Sequence, residues 1–352
     1  MTFRYNYVGS LIERLLQNNG FPLQLELHPG SHCGPFDCPY CYGKQQVLCN
    51  GSMDTADYGQ LFDELEEEHG LFVEISGIRS DPLSYSDFCG LLGIVKRKKF
   101  SYGIHTKGYF LNTQIIKLLN SESDSPGCIT IGIDSANTYT YNKLHGLPPN
   151  SNVFNMVKEN IIRLHQEREK RKSSLKIKLT YLLFAENSSE EQIKEFIYTF
   201  GDYADIIRFS IPQVPNTAEP QKYLKSEFIS KTFDMLKNYE NDKIIILNFR
   251  QSKHNQRLHY CWSQRFNATI DKAGNVFPCP QVALRNYANL ILGNVKKDRF
   301  WNIWNSEKRS QLLAMSIKEM NCRVCDRKDE SINIELNKLM KVNRFVISSK
   351  NG

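Results

Sequence analysis

From Leu23 to Ile211 the chain alternates short apolar runs with segments whose apolar residues recur at helical spacing. Leu23–Leu27 reads Leu-Gln-Leu-Glu-Leu, a strand by its period of two, and Thr55–His69, with Leu among Glu at helical spacing, reads as the helix after it. Leu71–Ser76 and Phe100–His105 are the next expected strands. Cys128–Asp134 is a nearly continuous apolar strand, followed by a helix over Val153–Gln166. Leu175–Phe184 and Asp205–Ile211 supply two more strands around the amphipathic segment Glu190–Phe200. This alternation implies right-handed βαβ crossovers and a parallel sheet with its helices outside. Six strands of this kind fit a partial α/β barrel, in which ligands gather beyond the C-terminal ends of the strands.

Residues 1–22 form a short lead with a helical patch at Leu11–Leu16, and Pro212–Pro220, with three prolines, reads as a linker. Beyond it come a helix near Ser226–Tyr239, a strand Lys243–Phe249 and then turns and shorter elements. The expected division is a lead at 1–22, a core at 23–220, a smaller α+β unit at 221–335 and a tail at 336–352.

The segment after the first strand carries the strongest chemical signal. Cys33, Cys38 and Cys41 are separated by four and then two residues, so three thiolates can converge on one soft, sulfur-preferring centre. Three local ligands leave one coordination position open. A structural zinc site would close with a fourth ligand, for which His28 and His32 are at hand.

Ten cysteines fall into groups: this triplet, then Cys261, Cys279, Cys322 and Cys325, with Cys49, Cys89 and Cys128 standing alone. The second group follows a pattern of its own. Cys261 precedes a hairpin-like stretch over Asn267–Phe277 with a Lys-Ala-Gly-Asn turn, Cys279 follows it, and the Cys322-Arg323-Val324-Cys325 pair comes after a long gap. A four-cysteine zinc site would suit these residues taken alone.

The triplet, with the aromatic Tyr40 before its last cysteine, resembles the signature of the radical SAM superfamily, whose usual first gap is three residues where this chain has four. The C-terminal cysteines resemble the twitch domain, the shortened relative of the SPASM domain. The resemblance implies a partial (β/α)6 radical SAM barrel followed by a small twitch/SPASM-like domain. It also implies S-adenosylmethionine (SAM) and two [4Fe–4S] clusters, one SAM-binding and one auxiliary. Cys33, Cys38 and Cys41 would hold the first, and Cys261, Cys279, Cys322 and Cys325 the second. Ser76-Gly77 and Asp81-Pro82-Leu83 look like the ends of the glycine-rich element that binds the SAM amino group, and Asp134 takes the place of a strand-end acid near the cofactor. Tyr40 joins Ser76, Gly77, Asp81 and Asp134 as an expected cofactor contact. Asn142 and His145 look like replacements for a downstream acid and arginine. His145 and Cys128 are the candidates for a proton or hydrogen carrier, against a purely structural role for each.

By the same resemblance the chain is an enzyme that reductively cleaves SAM to a 5′-deoxyadenosyl radical and abstracts hydrogen from its substrate. The substrate is a ribosomally made peptide or, alternatively, a small polar natural product such as an amino-cyclitol that is dehydrogenated or epimerised. An electron donor such as flavodoxin or ferredoxin is implied. A non-enzymatic zinc protein that binds a partner is the reading of a different class.

Composition narrows this a little. With 41% hydrophobic and 24% charged residues the chain has the balance of a globular protein, and no apolar run is long enough for a membrane span. The N-terminus lacks a signal-peptide pattern, which places the protein in the cytoplasm. Net charge is +7, concentrated in Lys96–Lys99 and Arg168–Lys172, both at the ends of helix-like segments where cations complement the helix terminus and stay solvated. No nucleic-acid motif accompanies them, so a nucleic-acid surface is not expected.

Overall fold

The strand pattern builds one sheet. In the computed structural model, which describes residues 20–41, 43–44, 47–65, 71–123, 125–212, 226–247, 261–316, 319–320, 333–334 and 336, the six expected core strands are β1 (Gln24–His28), β2 (Phe72–Ile75), β3 (Ser101–Thr106), β4 (Gly127–Gly132), β5 (Lys176–Leu182) and β6 (Ile206–Ser210). They lie in chain order and pair in parallel. The sheet does not stop there. β7 (Ile244–Leu247) pairs in parallel with β6, and β8 (Asn267–Asp271) pairs in parallel with β1 over five residues. The antiparallel β9 (Asn275–Phe277) and β10 (Gly293–Asn294) complete ten strands. Strands of the expected core and of the expected smaller unit therefore share one sheet. The lead's helical patch and the Pro212–Pro220 linker, apart from Pro212 itself, lie outside the described residues.

Helices α1 (Thr55–Glu64), α2 (Phe88–Arg97), α3 (Thr113–Leu119), α4 (Thr138–His145), α5 (Val153–Arg171) and α6 (Glu190–Phe200) follow the strands. After the core come α7 (Ser226–Leu236), α8 (Phe300–Trp304) and α9 (Glu307–Ala314). Their starts are written in the sequence. Asp54, Asp87, Asn112, Asn137 and Ser189 each cap a helix by accepting a backbone N–H of its first turn. The run Lys96–Lys99 does sit at the end of α2, but Lys96 is not solvated. It is buried and donates to the Leu118 and Ser121 carbonyls, each at 2.9 Å, and to Ser121 Oγ at 2.8 Å. The ammonium thereby satisfies carbonyls at the end of α3.

Successive residues of a strand face opposite sides, and here the two sides differ in kind. Leu25, Leu27, Val73, Ile75, Ile104, Ile129, Ile131, Ile177, Leu179, Ile207 and Phe209 are fully buried in the core under the helices. The other parity carries Gln24, Glu26, His28, Glu74, Thr130, Lys178 and Thr180, which are also buried. Parallel sheets covered on both faces normally read apolar on both. A charged lumen marks the inside of this barrel as a chamber rather than a packed core.

Candidate active site

β1 ends at His28 and the chain turns into the cysteine loop at the C-terminal rim. Contacts from neighbouring loops fix its course: Asp81 N donates to the His32 carbonyl at 2.9 Å, Asp37 N to the His145 carbonyl at 3.1 Å, and Ser31 N to Ser84 Oγ at 3.1 Å. Gly146, which ends α4 at φ +66°, lies so close that a Cβ there would overlap the Asp37 carbonyl. Cys33, Cys38 and Cys41 are half-buried free thiols lining one cavity of about 740 Å³, a size suited to a small molecule.

Burial pushes the Cys33 thiol up to about 12, helped by Asp81, and raises Cys38 and Cys41. Lys107 pulls all three the other way, and Arg79 does so at Cys41. Thiols held protonated by burial need a bound cation to ionise. Three soft donors facing one cavity fit a cluster with one iron left open. The thiols are not already gathered into a closed set: among the described residues no three His, Cys, Asp or Glu side chains form a metal-type group. Of the zinc candidates, His32 lines the cavity and His28 does not. His28 Nε2 lies 3.0 Å from Glu26 Oε1, and His32 Nδ1 accepts from Gly34 N at 3.0 Å.

The other expected residues divide. Tyr40, Gly77 and Asp81 line the cavity with the thiols. The Asp81 carboxylate is already occupied, accepting from Thr106 Oγ1 at 2.7 Å, Lys107 N at 2.8 Å and Leu83 N at 2.9 Å, so it braces the β2 and β3 ends. Ser76 lies deeper, donating to Glu26 Oε1 at 2.6 Å. Asp134 is wholly buried just past β4 at φ +56° and accepts from Leu182 N at 2.7 Å and Tyr40 Oη at 3.1 Å.

His145, also wholly buried, places Nδ1 3.4 Å from Cys38 Sγ and 3.3 Å from Lys107 Nζ. Burial, with the Lys107 cation, holds it well below the usual histidine range. Asn142 spends its amide on the Pro149 and Ser151 carbonyls at 3.0 Å. Cys128 is buried at the far, N-terminal end of β4 and does not line the cavity.

Residues not singled out from the sequence complete the site. Lys107 Nζ donates to Tyr40 Oη at 2.9 Å and lies 3.5 Å from Asp134. Burial works most strongly on it and against its charge, yet Asp134 together with the Cys38 and Cys33 thiols holds it above its usual value. His105, Thr130, Gly132, Thr180 and Arg208 project from β3 to β6, and Lys272 enters from the turn after β8. Buried Glu74 fixes His105, with His105 Nε2 3.0 Å from Glu74 Oε1. Gly103 makes room for that pair, since a Cβ there would stand 3.0 and 3.1 Å from the Glu74 carboxylate oxygens. The available signal was the polar member of each strand alternation.

Of the second cysteine group, Cys261 and Cys279 are half-buried free thiols, the latter donating to Gln281 Oε1 at 2.7 Å. Cys322 and Cys325 lie outside the described residues. β8 and β9 form the expected hairpin between Cys261 and Cys279.

Residues 261–326 match the SPASM family, an iron-sulfur cluster-binding domain. Among solved structures the chain is similar to SuiB of Streptococcus suis bound to S-adenosylmethionine. The TM-score is 0.61 at 16% identity, over 87% of this chain and 71% of that one. The chain therefore shares the fold of that structure and carries a match to an iron-sulfur cluster-binding domain. SuiB bound to its precursor peptide SuiA gives a TM-score of 0.60 at 16% identity, covering 87% and 70%. The structure of anSMEcpe with bound AdoMet and a Cp18Cys peptide gives 0.53 at 15% identity, covering 92% and 99%. No curated protein matches the chain. The radical SAM fold agrees with the expectation of a partial barrel followed by a SPASM-like region. No helix among the described residues is long and apolar enough to cross a membrane.

Proposed function

We propose that this chain is a radical SAM enzyme that modifies a peptide. The observation that carries the reading is the placement of Cys33, Cys38 and Cys41 on one cavity at the C-terminal rim of a parallel barrel whose lumen is polar. These three residues would hold a cluster with an open iron, and Gly77 and Tyr40 line the space beside them. When bound, a reduced cluster and SAM supply a 5′-deoxyadenosyl radical for hydrogen abstraction. The chain's own part is orientation and exclusion of water. Tyr40, Lys107, Asp134 and His145 brace the loop from behind, and Phe36 packs edge-to-face on Tyr109 and His145. Cys261, Cys279, Cys322 and Cys325 would hold the auxiliary cluster of the SPASM domain.

A peptide substrate is supported by the peptide-bound structures of SuiB and anSMEcpe, which share the fold. The deciding experiment is anaerobic reconstitution. The wild type should bind about eight irons, two cubane clusters, and form 5′-deoxyadenosine under a strong reductant. The Cys33→Ala, Cys38→Ala, Cys41→Ala variant should lose about half the iron and all SAM cleavage. Near-stoichiometric zinc with little iron would overturn the reading.

A further inference from the structure

We infer that Tyr109 and Phe110 act as an aromatic clamp that holds the cysteine loop shut around the cluster it would carry and so keeps water from the iron. The inference rests on the radical SAM reading and adds positioning residues to its site. Neighbouring loops bond the cysteine loop at two points: Asp81 N donates to the His32 carbonyl, and Asp37 N to the His145 carbonyl. Among the described residues no hydrogen bond from another element reaches residues 33–36 between these points, and Gly34 N bonds within the loop, to His32 Nδ1. Packing therefore holds this stretch.

The packing comes from the turn after β3. A Cβ on Gly34 would stand 2.9 Å from Phe110 Cζ and 3.2 Å from Tyr109 Cδ1, so both rings press on the loop backbone, and a glycine at φ +69° permits it. His32 meets Phe110 edge to face at 5.5 Å, and Phe36 meets Tyr109 in the same way at 6.0 Å. The two clamp rings brace each other at 5.1 Å. Behind them buried Asn160 of α5 donates to the Gly108 carbonyl at 2.9 Å and to the Tyr109 carbonyl at 3.4 Å, and Leu111 enters the core. His32, Gly34 and Phe36 line the cavity whereas Tyr109 and Phe110 do not, so the clamp backs the loop from the side opposite the cavity. Iron leaves such a site when the loop opens locally. Opening breaks the His32–Phe110 and Phe36–Tyr109 pairs but not the Tyr109–Phe110 pair, which stays behind as a fixed wall.

The test follows iron loss from the anaerobically reconstituted full chain in an excess of a ferrous chelator. Samples taken over time are reduced and read by the electron paramagnetic resonance signal that SAM perturbs, which belongs to the site with the open iron. Phe110→Ala should lose that signal about tenfold faster than the wild type, the effect of one edge-to-face ring pair at the top of its range. Phe110→Leu, which keeps apolar bulk without the ring, should fall between the two, and it decides the matter if the Ala variant does not fold. Phe196→Leu, in the core beside Tyr181 and Phe209, should lower the thermal midpoint without speeding iron loss. The inference is overturned if the Phe110 variants release iron at the wild-type rate, or if Phe196→Leu releases it as fast as they do. A wild type that takes up zinc or no iron removes the enzyme reading, and the clamp with it, before any variant is made.

Discussion

Cys38 and His145 stand 107 positions apart in the chain and 3.4 Å apart in the fold, Sγ to Nδ1. The contact joins the cysteine loop to the last turn of α4, and the same imidazole nitrogen lies 3.3 Å from Lys107 Nζ and from Tyr40 Oη. A hydrogen bond at a ligating sulfur tunes the centre it holds. His145→Phe should therefore bind iron at the N-terminal site but shift the electron paramagnetic resonance signature of the reduced protein. An unchanged spectrum at equal iron content would show the contact to be packing only.

Lys107 supports a stability prediction. Its ammonium lies 3.5 Å from Asp134, whose side chain is fully buried. Removing one partner of a buried pair leaves an uncompensated charge. Asp134 keeps the Leu182 N–H and Tyr40 Oη as donors, which places Lys107→Met toward the low end of such losses, at about 3 kcal/mol in denaturant unfolding. Adding Asp134→Asn should restore part of it. A loss under about 1 kcal/mol, the scale of exposed pairs, would mean that the pair is solvated in practice.

Much of this was legible in the residues, and the gaps have physical causes. Apolar runs located β1 to β6 within a residue or two, because alternation of apolar and polar residues is a local signal. The extension of the sheet beyond β1 was not legible. That β8 pairs with β1 is a contact between residues more than 240 positions apart, and nothing near Asn267 announces its neighbour. Lys107, His105 and Arg208 were missed for a related reason. Each looks like an ordinary polar residue in or after a strand, and only the curvature of the sheet turns that face into a chamber. Lys96 shows the opposite error: a basic run at a helix end suggests solvent, yet its ammonium finds three acceptors by α3.

Gly103 tests the chamber wall. A methyl group there would stand 2.9 Å from the Phe72 ring and about 3 Å from the Glu74 carboxylate, whose own position is fixed by His105. Overpacking of this kind costs about 1–3 kcal/mol. Gly103→Ala should show that loss in urea unfolding, and a neutral result would mean that Glu74 can swing aside.

Cys49 gives a pH dependence. Burial and the neighbouring Asp271 carboxylate push its thiol up to about 12. In the unfolded chain a thiol ionises near 8.5, so above that pH the unfolded state releases a proton that the folded state retains. The stability held at neutral pH is therefore lost as pH rises from about 8.5 toward 12. Cys49→Ser should lose less stability than the wild type between pH 7 and 9.5, read as the shift in denaturation midpoint. Parallel curves would show that Cys49 ionises as freely when folded as when unfolded.

Cys261 and Cys279 separate a redox role from a structural one. The hairpin between them is held by the sheet itself: β8 pairs with β1 over five residues, Leu23 and Gln24 donate to the Phe266 carbonyl at 2.8 and 3.1 Å, and Trp301 Nε1 donates to the Glu64 carbonyl at 3.0 Å. These contacts need no metal. A Cys261→Ala, Cys279→Ala protein should therefore stay folded, keep the iron of its N-terminal site and still cleave SAM, while failing to complete turnover on its substrate. Aggregation or a large fall in thermal midpoint would instead make the second site a staple. Wild-type product formation with the second cluster absent by iron count and spectroscopy would remove the redox role altogether.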